Sequence, residues 1–225
     1  MNIILAQTAA GSIHEQMLAA TAPLHRAYCE ANDIDFRSFV GVRRGFYPWH
    51  ACYNRIEMIR DLIDDGYRGW FIYLDADTVI RQADFDLRRY LGKRLDRALI
   101  AAPGRPNGER WDINDGVFFL NLGDASGREI ARRWHEAFHH NVGDELLERA
   151  VEPWRHPDGG LLPDDQHLLQ TVLLHWPGLD EALLREEDGL INYGGGRFIR
   201  QFVRLTGTPE ERLALIRRTV ELSAG

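Results

Sequence analysis

The stretch GWFIYLDADTVI, residues 69–80, decides the fold. After Gly69 it runs through five large apolar residues and ends in two aspartates, Asp75 and Asp77, with one alanine between them. A continuous apolar run, as opposed to an alternating one, predicts a strand that is buried on both faces of a parallel sheet. Residues two apart in a strand point to the same side. We therefore expect both carboxylates to converge on one point where this strand ends.

The segments on either side predict an alternation of strands and helices. Before the central strand, the residue pattern predicts strands at 2–7 and 34–41 and helices at 12–30 and 50–66. After it, the pattern predicts strands at 98–104 and 116–123, helices at 126–140 and 163–176, and a last helix capped by Thr208. This order predicts a single α/β domain over residues 1–225, with an open, mostly parallel, Rossmann-like sheet flanked by helices. Ligands of such sheets bind at the carboxyl ends of the strands.

Composition narrows the class of protein. With 44% hydrophobic and 27% charged residues the chain is typical of a soluble globular protein, and its net charge of -7 argues against a nucleic-acid partner. Only two cysteines are present, Cys29 and Cys52, which favours a reducing compartment. No apolar run approaches the roughly 18 residues of a membrane span, and the N-terminal apolar run is interpreted as a strand instead of a secretion signal. A cytoplasmic location is the expectation.

The two aspartates suit a divalent cation. Hard carboxylate oxygens bind Mg²⁺ or Mn²⁺, and a bound diphosphate can supply the remaining ligands. Two enzyme classes place Asp-x-Asp here: metal-dependent sugar transferases, and haloacid-dehalogenase-like phosphatases in which Asp75 would be the nucleophile and Asp77 an acid/base. The phosphatase pattern fits less well, because the motif follows two complete β-α units and the only lysine, Lys93, comes too soon after it. A non-catalytic nucleotide-sugar binding domain is a third alternative.

Three segments carry a resemblance to a known family. They are NRIEMIRDLIDDGYRGWFIYLDADTVI (54–80), NDGVFFLNLGDASGREIARRW (114–134) and LLPDDQHLL (161–169). In this order the chain resembles the GT-A glycosyltransferases, particularly the group with galactosyl- and mannosyltransferase members, over most of residues 1–207. The resemblance implies transfer of a hexose from a UDP- or GDP-linked donor to a saccharide or other hydroxyl acceptor, mostly with retention and with Mn²⁺ or Mg²⁺. It also implies a nucleotide-binding part to about residue 103, an acceptor and catalytic part at about 104–207, and a C-terminal helix at 208–223.

The resemblance also implies roles for individual residues. The metal ligands are expected to be Asp75 and Asp77. The expected catalytic residues are Asn114, Asp115, Asp165 and Gln166. The expected nucleotide-sugar-binding residues are Thr8, Ala9, Arg55, Asp75, Ala76, Asp77, Arg200 and Arg204. Asn114 and Asp115 either hydrogen-bond the sugar or acceptor or form a plain turn, whereas Asp164 is interpreted as a helix cap. Trp49 and His50 are expected to line the acceptor pocket, and the remaining histidines are assigned no role.

One element of the family is missing. Its members complete the metal site with a histidine near the C-terminus, but this chain has no histidine after His175, and the matching stretch FVRLTG places Arg204 there. Arginine cannot ligate a cation, although it can hold a diphosphate. A neutral oxygen is available from Gln201 or Asn192. A predicted anion clamp over the donor comprises Arg197, Arg200 and Arg204.

Overall fold

Six strands form the central sheet of the computed structural model, which describes residues 1–186, 189–192, 195–203 and 207–224. The order across the sheet is β2-β1-β3-β6-β5-β7, and every neighbouring pair is parallel except those that include β6. A second, two-stranded sheet pairs β4 with β8 antiparallel. The strands are β1 (Ile3–Ala9), β2 (Asp35–Val40), β3 (Trp70–Asp75), β4 (Thr78–Ile80), β5 (Leu99–Pro103), β6 (Ile113–Asn121), β7 (Leu183–Arg185) and β8 (Ile199–Gln201).

Helices cover both faces of the central sheet. They are α1 (Ser12–Ala31), α2 (Asn54–Asp64), α3 (Leu87–Gly92), α4 (Ala125–Asn141), α5 (Asp144–Arg149), α6 (Asp165–Leu174), α7 (Leu179–Ala182) and α8 (Pro209–Ala224). Apolar side chains of α2, α4 and α6 pack on one face, and those of α1 and α3 pack on the other. The predicted fold class, a mostly parallel α/β sheet flanked by helices in one compact unit, is confirmed.

Several element boundaries differ from the predicted ones. The segment predicted as one helix at 50–66 begins as a 3₁₀ helix, Pro48–Tyr53, and becomes α-helical only at Asn54. The first strand continues two residues further, to Ala9, and β6 begins at Ile113. The three-residue strands β4, β7 and β8 were not predicted, because runs this short carry too few residues for a periodic pattern. Within the described part of the chain, no helix is both long and apolar enough to cross a bilayer.

The direction of β6 brings two distant segments together. Because β6 is antiparallel to β3, its first residues lie beside the last residues of β3, and Leu74 pairs with Val117. This register places Asp115 and Gly116 next to Asp75. The carboxyl end of the central strand therefore meets the head of β6 at the same edge of the sheet.

The C-terminal helix begins at the cap predicted from the sequence. The Thr208 amide donates to Glu211 Oε2 at 2.8 Å, and the Glu211 amide donates to Thr208 Oγ1 at 3.2 Å. These reciprocal bonds satisfy two backbone donors that the first helical turn would otherwise leave unpaired. From this start α8 packs against α1 and carries Arg212 toward the carboxyl end of β3.

Candidate active site

A cavity of about 570 Å³ opens at the carboxyl ends of β1 and β3. Its polar wall combines residues from seven elements and the turn after β3. They are Thr8 of β1, Arg55 of α2, Asp75 of β3, Asp77 of the turn, Asp115 of β6, Asp165 and Gln166 of α6, Gln201 of β8 and Arg212 of α8. The cavity lies where open α/β sheets bind their ligands.

Asp75 and Asp77 both face the side-chain amide of Gln201. The Nε2 atom of Gln201 donates to Asp75 Oδ2 at 3.0 Å and to Asp77 Oδ1 at 3.3 Å. Gln201 is 5% exposed, and its Oε1 atom is buried with no hydrogen-bond partner among the described residues. Both carboxylates therefore reach the same point in the cavity wall, where the side-chain nitrogen of Gln201 lies.

Arg55 pairs with three carboxylates at once. Its guanidinium nitrogens lie 2.6 Å from Asp75 Oδ1, 3.2 Å from Asp115 Oδ2 and 2.9 Å from Asp165 Oδ2. Its Cζ atom lies 4.1 Å from the centroid of the Tyr73 ring, and the guanidinium is buried. A planar fork with five donors is suited to such convergence. Arg55 thus ties β3, β6 and α6 together at the cavity.

Arg212 forms a buried ion pair with Asp77. Its Nη1 atom lies 2.9 Å from Asp77 Oδ2 and 3.1 Å from the carbonyl oxygen of Phe202. Both charged side chains are buried. Burial raises the pKa of Asp77 to about 7, and the Asp75 charge adds to this rise, whereas Arg212 and Gln201 oppose it. The sequence interpretation missed Arg212, because nothing local distinguishes it from the solvent-facing arginines of the same helix.

Asp115 and Asp165 share a strongly anionic environment. Burial raises the pKa of Asp115 well above its usual range; Arg55 opposes this rise, and the carboxylates of Asp165 and Asp75 add to it. Burial also raises the pKa of Asp165, to about 6. A proton on one of these two carboxyl groups therefore favours ionisation of the other, because two like charges repel at this distance.

The charges and donor atoms at this point fit a divalent cation. Four aspartates face two arginines, Arg55 and Arg212, which leaves a formal charge of −2 before protonation. Asp75 and Asp77 each keep one oxygen directed at the Gln201 amide. A rotation of that amide by half a turn would present its oxygen in place of its nitrogen, and an amide oxygen is an accepted ligand of Mg²⁺ and Mn²⁺. With two carboxylates and one amide oxygen as ligands, the cation would keep coordination positions open for the oxygens of a diphosphate.

Other predicted residues also line the cavity. Thr8 shares a 2.7 Å hydrogen bond with the Tyr73 hydroxyl, and Ala9 and Ala76 form apolar parts of the wall. Gln166 Oε1 accepts a 3.2 Å hydrogen bond from the Asp115 amide. Asp164 caps α6 by accepting from the His167 amide at 2.7 Å, as interpreted from the sequence.

Strand alternation removes two predicted residues from the cavity wall. Neighbours in a strand point to opposite faces, so Asp115 faces the cavity and Asn114 does not; the Asn114 Oδ1 atom accepts from the Gly116 amide at 2.7 Å. For the same reason Gln201 faces the cavity, while the Arg200 guanidinium lies 4.3 Å from the Phe202 ring centroid. The structure thus places Asn114 and Arg200 outside the cavity wall; their predicted roles in catalysis and donor binding stay predictions.

Two further residues, predicted to hold the diphosphate or the metal, do not line the cavity. Neither Arg197 nor Asn192 lines the cavity, so the predicted arginine clamp does not form there from Arg197 and Arg200. Arg204, the third member of that clamp, lies outside the described residues.

Two tryptophans form an aromatic wall. Trp49 and Trp154 both line the cavity, with ring centroids 5.1 Å apart in an edge-to-face arrangement. Trp49 was predicted here, whereas Trp154 was not. His50 does not line the cavity; it is buried, and its Nδ1 atom accepts a 2.9 Å hydrogen bond from the Phe46 amide. The acceptor-pocket role of His50 therefore stays a prediction that the lining of this cavity does not support.

Comparisons with known proteins show the fold. No protein-family model matches the chain, and no curated protein matches its sequence. A solved glycosyltransferase involved in the glycosylation of the major capsid of PBCV-1 matches with a TM-score of 0.67 and 15% identity, over 96% of this chain and 99% of that one.

Two further solved structures match less well. A197 from STIV has a TM-score of 0.43 and 13% identity over 83% of this chain and 82% of its own. Mouse xyloside xylosyltransferase 1 in its apo form has a TM-score of 0.47 and 10% identity over 93% of this chain and 100% of its own. Both TM-scores are lower than the 0.67 of the glycosyltransferase involved in PBCV-1 capsid glycosylation, which is the structure that shows the fold.

Proposed function

We propose that this protein is a glycosyltransferase that moves a hexose from a UDP- or GDP-linked donor to a hydroxyl group of an acceptor, assisted by Mn²⁺ or Mg²⁺. One observation carries the proposal: Asp75 and Asp77 face a single point at the carboxyl end of the central strand. The fold shared with a solved glycosyltransferase supports the same chemistry.

The donor would bind along the ends of β1 and β3. Thr8, Ala9 and Ala76 would contact the nucleotide. Asp75, Asp77 and Gln201 would hold the cation, which when bound would neutralise negative charge on the leaving diphosphate. Arg212 lines the same wall and would add a second positive charge beside the diphosphate.

The acceptor would bind between the tryptophans and α6. Aromatic faces suit sugar rings, because the rings present flat C–H surfaces, and Trp49 and Trp154 supply two such faces. Asp165 also lines the cavity, and Arg55 lies 2.9 Å from its carboxylate. Its ionised carboxylate would face the acceptor hydroxyl.

The transfer step exchanges one bond to the anomeric carbon for another. The bond from this carbon to the diphosphate oxygen breaks, and the bond to the acceptor oxygen forms. The acceptor proton passes to the Asp165 carboxylate, and the diphosphate leaves with the bonding electron pair. Asp115 and Gln166 would keep Asp165 and the sugar in position. We propose that the acceptor oxygen attacks on the face from which the diphosphate leaves, so that the configuration is retained, because the chain resembles a mostly retaining group.

The proposal is tested by a thermal-shift panel of UDP- and GDP-sugars, each with and without Mn²⁺. At a ligand concentration 100-fold above Kd, binding adds about 2.7 kcal/mol to the free energy of unfolding, which raises the Tm by roughly 5–11 °C for a chain of this size. We expect at least one nucleotide sugar to raise the Tm in the presence of Mn²⁺, and Asp77→Asn to abolish that metal-dependent rise. Asp84→Asn, at an exposed position, is the matched control and should behave as the wild type.

Other outcomes would overturn the proposal. Failure of every nucleotide sugar to shift the Tm, or an unchanged Mn²⁺-dependent shift in Asp77→Asn, would show that the carboxylate pair is not the donor site. Nucleotide binding that is insensitive to Mn²⁺, without any transfer, would indicate a binding domain. Hydrolysis of a free phosphoester through a covalent intermediate on Asp75 would establish the phosphatase chemistry instead.

A further inference from the structure

A second cluster of metal-ligating side chains lies away from the cavity, between α2 and α4. It consists of Glu57 on α2 and of His135 and His139 on α4, and none of the three lines the cavity described above. One ligand atom from each residue lies within 4.8 Å of the corresponding atoms of the other two. We call this set the Glu57–His135–His139 cluster.

The distances in the cluster approach those of a tetrahedral metal site. Glu57 Oε1 lies 3.2 Å from His139 Nε2 and 3.9 Å from His135 Nε2. Two ligands that bind Zn²⁺ at about 2.0–2.1 Å with tetrahedral angles lie roughly 3.3 Å apart. Small side-chain rotations would therefore bring all three atoms into range. The histidines are four residues apart on a helix, which places them on one face.

The ring nitrogen of His135 that faces the cluster is available for binding. His135 Nε2 is buried and has no hydrogen-bond partner among the residues described. A buried nitrogen without a partner carries a desolvation cost, which a bound metal would remove. An imidazole nitrogen without a hydrogen-bond partner can serve as a metal ligand.

The carboxylate is held in place by a neighbouring residue. Glu57 is 8% exposed, and its second oxygen, Oε2, lies 3.5 Å from Arg60 Nη2. Since the Arg60 contact involves Oε2, the Oε1 atom remains directed at the histidines. One carboxylate oxygen that faces two imidazoles is a donor set found in zinc sites.

The sequence of this cluster contains a signal that the sequence interpretation missed. Residues 135–139 read HEAFH, which has the letters of the zinc motif H-E-x-x-H. In metalloproteases of that pattern the intervening glutamate is the general base. Here Glu136 is exposed and forms an ion pair with Arg132. A hydrolytic role is therefore not supported, and a structural metal fits better.

We propose that Glu57, His135 and His139 bind a divalent transition-metal ion of the Zn²⁺ class, which joins α2 to α4. Imidazole nitrogens select such ions over Mg²⁺, so this site differs chemically from the oxygen site at Asp75 and Asp77. Glu57 lies two residues after Arg55 on the same helix. The metal would thus stabilise the helix that carries the central arginine of the cavity.

The test is Zn²⁺ binding by the full chain, measured by competition with a fluorescent chelator in excess Mg²⁺. We expect the wild type to bind one Zn²⁺ with a rise in Tm. His139→Ala and Glu57→Gln should each weaken binding at least tenfold. His140→Ala, an exposed histidine on the same helix, is the control and should bind as the wild type. Asp77→Asn should also bind as the wild type, which separates this site from the donor site.

The proposal is wrong if the wild type binds no Zn²⁺, or if His139→Ala and Glu57→Gln both bind it as the wild type does. Circular dichroism of each variant verifies folding. If His139→Ala does not fold, the more conservative Glu57→Gln decides the question by itself.

Discussion

Arg212 Nη1 lies 2.9 Å from Asp77 Oδ2, although 135 positions separate the two residues in the chain. Asp77 belongs to the turn after the central strand, and Arg212 belongs to the first turn of the last helix. Both side chains are buried. The C-terminal helix is therefore part of the candidate active site and not only a cover for α1.

We expect Arg212→Met to destabilise the fold by roughly 3–5 kcal/mol. Removing one partner of a buried ion pair leaves the other charge uncompensated in a medium of low polarity. Urea unfolding at pH 8, above the Asp77 pKa of about 7, measures the loss. Arg218→Met, at an exposed position of the same helix, is the matched control and should change stability by less than about 0.5 kcal/mol.

The double variant Arg212→Met with Asp77→Asn tests the cause of that loss. Because it removes both charges, it should be more stable than Arg212→Met alone. A double variant that is no more stable than the single one would show that Arg212 acts through packing and not through Asp77.

The sequence was sufficient to predict one half of the candidate site. The apolar run predicts a buried strand that ends at Asp75, and ligands of open α/β sheets bind at the carboxyl ends of the strands. The sequence therefore places this carboxylate at the binding edge of the sheet. Asp165 was predicted from its place at the start of a helix and from the resemblance of its segment. Arg55 was predicted in the same way, and the structure places all three within one ion-pair cluster.

The other half depends on features that no local pattern reveals. Whether Arg200 or Gln201 faces the cavity depends on the register of a three-residue strand with β4, and a shift by one residue would exchange them. Arg212 reaches Asp77 only because α8 packs along α1. Such contacts arise from tertiary packing, so composition and periodicity do not determine them.

The close approach of β6 to Gln201 gives a second prediction. A Cβ atom added at Gly116 would lie 2.7 Å from Asp75 Oδ2 and still closer to Gln201 Nε2. We expect Gly116→Ala to displace the Gln201 amide, to weaken Mn²⁺-dependent donor binding at least tenfold and to destabilise the fold by about 1–3 kcal/mol. Isothermal titration with the donor identified by the thermal-shift panel measures the affinity.

Gly92→Ala is the control for this substitution, since nothing lies within 4 Å of the added Cβ atom and the residue is helical. Unchanged donor affinity in Gly116→Ala would mean that the Gln201 amide does not take part in donor binding.

A buried histidine predicts loss of stability in acid. His25 Nε2 accepts from the Ile80 amide at 3.1 Å, so its Nδ1 carries the proton and donates to Gln7 Oε1 at 2.8 Å. Burial lowers the pKa of His25 to about 3 from an unfolded value of 6.5. Because the unfolded chain binds the proton first, the stability from this group is complete above pH 6.5 and is lost as the pH falls toward 3.

We expect the free energy of unfolding to fall by roughly 2 kcal/mol between pH 6.5 and pH 5 because of His25, at about 1.4 kcal/mol per pH unit. Urea unfolding at both pH values should give a smaller pH dependence for His25→Gln than for the wild type. His175→Gln, at an exposed position, should keep the wild-type dependence. Equal pH dependence in all three proteins would show that His25 does not remain neutral in the folded state.

The role proposed for Asp165 predicts a specific kinetic effect. A general base must be ionised to accept a proton, and burial raises the pKa of Asp165 to about 6; kcat of the wild type should therefore fall as the pH drops below about 6. We expect Asp165→Asn to lower kcat by roughly 10²- to 10⁴-fold, to remove that acidic limb, and to change the donor KM little. Asp164→Asn is the control, because asparagine caps a helix as well as aspartate does. If Asp165→Asn instead raises the donor KM with kcat unchanged, Asp165 binds the donor sugar and another group accepts the proton.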